Sequence, residues 1–189
     1  MAKRKVDLYE LVTDSWQARM ILTSAQRIEN FATLLGRSYI IMKNWYDYKC
    51  LKENIPNENL IFNIFKKIII KFIFCDREFH NEEYAMYCSF ISYCKAYPES
   101  IAECKKIYKE TSLNYISGCI RYILPFRDII PPDYWRQMLL GFCYLCAADD
   151  VMHENQFILL QTFFEKGFDE KPESWDEYVK RRIVRQWSA

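Results

Sequence analysis

Phe72-Ile73-Phe74-Cys75-Asp76-Arg77-Glu78-Phe79-His80-Asn81-Glu82-Glu83 closes a long apolar run, and its pattern returns in Leu145-Cys146-Ala147-Ala148-Asp149-Asp150-Val151-Met152-His153-Glu154-Asn155-Gln156. Each copy reads as a buried helix, a short acidic turn centred on an apolar residue (Phe79, Met152) and an amphipathic helix. Asp76 and Asp149 lie 73 residues apart, as do His80 and His153, the only two histidines. The reading is a duplicated helix–acidic turn–helix hairpin, and the rest of the chain is placed around it.

Composition agrees with helices. Among 189 residues there are only four glycines and six prolines, too few for the frequent turns of a β-rich fold. Apolar residues make up 51%, enough for a core in one domain of this length. A net charge of +1 supplies no general attraction to nucleic acid or anionic membrane. The eight cysteines fall mostly on apolar helix faces, and no apolar stretch follows Met1-Ala2-Lys3-Arg4-Lys5 as in a secretory signal. Reduced, buried thiols in the cytoplasm are expected. The longest apolar run, Leu60 to Cys75, carries Lys66, Lys67 and Lys71 and is too short to cross a membrane.

The expected fold is all-α, a single-domain bundle of about seven to nine helices over residues 1–189. The N-terminal part comes first, with Asp14 or Ser15 capping a turn around Trp16. A helix from Ser24 carries Ile28, Phe31, Leu34, Leu35, Tyr39 and Met42 at helical spacing, with Gly36 as a kink or a close-packing point. Asn57 is the expected cap of the first central helix, Leu60 to Cys75, whose polar stripe is Asn63, Lys67 and Lys71. Further helices are expected at Asn81–Tyr97, Glu99–Lys109, Ser112–Leu124, Pro131–Ala148, Glu154–Lys166 (stopped by Gly167) and Glu173–Trp187.

The acids of the turns admit two accounts. Carboxylates at helix starts are stabilised by the helix dipole, ~0.3–1 kcal/mol each, and need no ligand. If instead both turns sit at one end of the bundle, Asp76, Glu78, Glu83, Asp149, Asp150 and Glu154 crowd one surface and repel. A divalent cation would relieve that repulsion, with calcium, magnesium or manganese favoured by oxygen donors. His80 or His153 in the ligand set would turn the preference toward zinc or manganese. No EF-hand loop is present.

The order apolar helix, Cys75-Asp76 or Ala148-Asp149, turn, apolar residue, and then Glu83 or Gln156 resembles the tellurite-resistance TerB-like family. It is also similar to the N-terminal helical domain of a membrane-anchored co-chaperone of the DnaJ type. The resemblance covers residues 57–167, with N-terminal helices over 1–56 and a C-terminal helix over 168–189 outside it. It implies an all-helical domain, an acidic surface that takes divalent cations, a cytoplasmic place, a part in stress responses and no catalytic activity. Two departures stand out. The family's turn glycine is Arg77 in one copy and Asp150 in the other, and its closing glutamate is Gln156 in the second.

Other constellations point to packing. Cys143-x-x-Cys146 lies inside an apolar helix with no second pair at metal-site spacing, so it reads as core. Lys180-Arg181-Arg182 with Arg185 reads as a solvated helix face. No nucleophile elbow, phosphate loop or dinucleotide fingerprint is present. The expected function is thus a non-enzymatic TerB-like module with a cation site at the paired turns and a protein partner. The alternatives are a metal-free scaffold that uses the acidic surface, or a metal-dependent hydrolase using the same acids with His80 or His153.

Overall fold

The computed structural model of the chain describes residues 7–75, 79–112, 118, 126, 131–148, 152–168 and 174–187. Eight helices are found among them, and no strand: α1 (Leu8–Ile21), α2 (Ser24–Glu53), α3 (Leu60–Phe74), α4 (Asn81–Tyr93), α5 (Ile101–Glu110), α6 (Pro132–Cys146), α7 (Glu154–Phe168) and α8 (Trp175–Trp187). The fold is an all-α bundle. Among the described residues no helix is long and apolar enough to cross a membrane.

The longest helix, α2, organises the rest. Its start, capped by Thr23 through a capping box with Gln26, lies beside the start of α4. Farther along, Tyr39 meets Phe90 of α4, so the two helices run parallel. Against α6 it runs antiparallel, with Leu34 and Leu35 beside Gly141 and the Ser38 hydroxyl donating to the Tyr134 carbonyl at 2.9 Å. The two central helices α3 and α6 meet through the stacked rings of Phe72 and Phe142, 4.9 Å apart, and Phe163 of α7 closes on both. One apolar cluster draws on all eight helices, from Leu8 to Tyr178.

Several boundaries differ from the expected ones. The first helix starts at Leu8 because Asp7, not Asp14 or Ser15, accepts the Tyr9 N–H at 2.9 Å; Leu8, Leu11 and Val12 then fall into the core. Helix α2 runs unbroken through Gly36, which serves as the close-packing point: a Cβ there would come within 2.3 Å of the Tyr93 ring. The cap of α3 is Asn59 in a left-handed conformation, and Asn57 acts one step earlier, accepting the Asn59 N–H at 3.1 Å. α4 ends at Tyr93, four residues before the expected Tyr97, as Lys95 turns left-handed and the Ala96 N–H donates to the Ile91 carbonyl. The other end of the chain shifts too. α7 runs through Gly167, and α8 starts at Trp175 behind a Ser174–Glu177 capping box. The helix expected at Ser112–Leu124 falls almost wholly outside the described residues.

The early end of α4 has a purpose in packing. It lets the chain return Glu99 to the bundle, where its carboxylate accepts from Lys66 of α3 at 2.6 Å and from the Tyr87 hydroxyl of α4. The Tyr84 hydroxyl donates to the Glu99 carbonyl at 2.8 Å. Lys71, expected on a polar stripe, is buried instead. Its ammonium donates to the Thr111 carbonyl at 3.0 Å and lies 4.0 Å from the centre of the Tyr108 ring. Burial lowers its pKa from the usual lysine range.

Candidate functional site at the paired turns

Each turn is held by the helix that follows it. In the first, Phe79 stacks on Phe74 of α3 and packs on Tyr84, four residues past the cap His80, as a hydrophobic staple. The His80 backbone N–H donates to Glu83 Oε2 at 3.3 Å. In the second turn Met152 is buried at the same offset from its histidine, and the His153 N–H donates to Gln156 Oε1 at 3.2 Å. Glu83 and Gln156 are both 0% exposed. The cap needs one acceptor oxygen three residues on, and a carboxylate or an amide carbonyl serves equally. That is the physical reason Gln156 can stand where the first copy has an acid.

The turns are also tied to one another. Asn155, near the start of α7, donates from Nδ2 to the carbonyl of Cys75 at the end of α3, at 3.0 Å. Helix α7 therefore begins against the point where α3 ends. At the matching position of the first copy stands Glu82, which turns elsewhere. Its two oxygens accept from Arg27 Nε at 2.6 Å and Nη2 at 2.7 Å, while Arg27 Nη1 donates to the carbonyls of Arg19 and Leu22. The hydrogen bond to Glu82 raises the Arg27 pKa further, against the opposing effect of burial. One guanidinium thus pins the α1–α2 elbow to the first turn.

Of the eight expected ligands, His80 and His153 are half-buried caps, Glu83 is buried in the first cap, and Glu154 is exposed on the first turn of α7. Asp76, Glu78, Asp149 and Asp150 lie outside the described residues, as does Arg77. Among the described residues no three His, Cys, Asp or Glu side chains are grouped to hold a metal ion. Glu83 faces the cap rather than the rim, so a cation there would depend on Asp76, Glu78, Asp149, Asp150 and Glu154.

Sequence reasoning missed Asn155, Glu82 and Arg27. Asn155 and Glu82 share one position of the repeat, and nothing in either copy marks the first as a bridge or the second as an ion-pair partner. Arg27 is one basic residue on a long helix. Of the cysteines expected to be buried, Cys50, Cys75, Cys104, Cys143 and Cys146 are buried, Cys88 and Cys94 are half-buried, and Cys119 lies outside the described residues; burial holds the Cys143 thiol far above its usual pKa. Arg181 is not simply solvated, since it reaches Asp7 at 3.2 Å and lies over the Tyr9 ring, joining α8 to α1. The chain matches no family model, no curated protein and no solved structure in comparisons with each.

Proposed function

We propose that this chain is a non-enzymatic, cytoplasmic, TerB-like helical module whose two acidic turns together form one rim that takes a divalent cation. The observation that carries the reading is the Asn155–Cys75 hydrogen bond. Asp76 follows Cys75 directly in the chain, and Asp149 and Asp150 stand a few residues before Asn155. With the roots of the two turns tied, their acids would offer hard oxygen donors at one end of the bundle, the donor type that calcium, magnesium and manganese prefer.

The test is calorimetric titration of the full chain with calcium, magnesium, manganese and zinc. Wild type is expected to bind at least one of them more tightly than about 1 mM, the weak end of protein calcium sites. Asp76→Ala/Asp149→Ala is expected to lose at least ~10-fold in affinity. Failure of every cation in wild type sinks the reading, and an unaffected double variant moves the site elsewhere.

A metal-free reading has its own support. Glu82 pairs with Arg27 of the same chain through two parallel bonds. A carboxylate of the rim would make the same pairing with an arginine of a basic protein partner. Binding of an arginine-rich peptide that falls with added salt, in a chain that takes no metal, would favour this alternative.

A further inference from the structure

Helix α5 has little apolar anchorage. Cys104 alone of its 10 residues is buried, whereas α3 buries ten of 15 and α4 five of 13. Ile107 and Tyr108 are half-buried, and the Tyr108 ring packs on Phe74 with centres 5.8 Å apart. Lys105, Lys106 and Lys109 face solvent. What holds the two ends of α5 is polar. Before its start, the Glu99 carboxylate accepts from Lys66 of α3 and from the Tyr87 hydroxyl of α4. Past its end, the Lys71 ammonium of α3 donates to the Thr111 carbonyl and lies over the Tyr108 ring. Two lysines five residues apart on one helix thus grip opposite ends of another.

The centre of the bundle is joined without α5. Phe72 of α3 stacks on Phe142 of α6, and Phe163 of α7 closes on both, so these three helices stay packed when α5 leaves its seat. Off that seat, a helix shorter than ~12 residues does not persist in water, so α5 is lost as one unit. We propose that α5 is a strap, clipped to α3 by Lys66 and Lys71, that lifts while the rest of the bundle stays folded and uncovers Cys104. It carries none of the acids of the two turns, and its opening needs no cation.

Cys104 reports the opening. Seated, it is 1% exposed, its thiol donates to the Glu99 carbonyl at 3.8 Å, and burial pushes its pKa up to about 11, so alkylating reagents do not reach a thiolate. Cys143 and Cys146, buried in α6, are reached when the central packing itself comes apart.

The test is N-ethylmaleimide labelling of the full chain under native conditions, read cysteine by cysteine by peptide mass spectrometry. In wild type Cys104 is expected to react at least ~100-fold faster than Cys143 and Cys146, because the strap opens below the global unfolding free energy. Lys66→Met and Lys71→Ala each remove one clip and are each expected to speed Cys104 by ~10-fold or more, the effect of one lost hydrogen bond to a charged group. Leu35→Val loosens the packing of α2 on α6 beside Gly141. It is expected to speed Cys143 about fivefold and leave Cys104 within about twofold of wild type, since that contact persists when the strap lifts. Cys104 reacting no faster than Cys143 in wild type overturns the proposal. So do lysine variants that leave Cys104 unchanged, or a Leu35→Val chain in which Cys104 quickens as much as Cys143.

Discussion

Glu83 and Gln156 make the same bond in two hairpins, one with a carboxylate oxygen and one with an amide oxygen. What the position requires is an acceptor, not a charge. Glu83→Gln is therefore expected to leave the urea midpoint nearly unchanged, within about 0.5 kcal/mol, because the amide keeps the cap. Glu83→Ala removes the acceptor and leaves the His80 N–H without that partner, at a cost of about 1–2 kcal/mol. If Glu83→Gln proves as damaging as Glu83→Ala, the charge itself matters and the cap account is wrong. The histidines and their spacing were legible in the sequence. The inward turn of Glu83 was not, because a Glu three residues past a cap can reach back to it or out to solvent with the same local pattern.

Helix α2 shows how close packing at one glycine can reverse the effect of a substitution. Alanine is the better helix former by roughly 0.5–1 kcal/mol, yet a Cβ at Gly36 would lie 2.3 Å from the Tyr93 ring. Gly36→Ala in wild type is expected to lose about 1–2 kcal/mol as the ring is pushed off its seat. In a Tyr93→Ala background the same change is expected to stabilise by about 0.5–1 kcal/mol, since only helix propensity remains. Thermal or urea melts of the four chains make a double-mutant cycle, and the same sign in both backgrounds refutes the contact. Periodicity placed α2 correctly because Ile28, Phe31, Leu35, Tyr39 and Met42 repeat at helical spacing. It erred at the ends of α1 and α4, where Asp7 and Lys95 act through cap geometry that spacing does not encode.

Across the whole molecule, Glu99 joins the α4–α5 connection to α3 and α4, and the bundle should be acid-sensitive there. Burial pushes its carboxyl pKa up, but the hydrogen bonds from Lys66 and Tyr87 outweigh this and leave it below the ordinary 4.5. A carboxyl depressed by folding adds stability above its unfolded pKa, and that stability is lost as pH falls through the lower, folded value. Denaturant midpoints of wild type and Lys66→Met are therefore expected to differ at pH 7 and to converge as pH falls well below about 4.5. A gap that persists in acid would show that Lys66 acts by packing alone.

The sequence by itself determined that this chain is helical, that its two central helices are nearly all apolar and that each leads into an acidic turn. Those properties are local, written in residue type at three- and four-residue spacing. Only the tertiary structure decided that the turns are tied together, that Glu82 belongs to Arg27 and that Lys71 is buried under Tyr108. These pairings join residues 80, 55 and 37 positions apart along the chain. Spacing along a chain carries no record of which helix face meets which, because that choice is made by the packing of all of them at once.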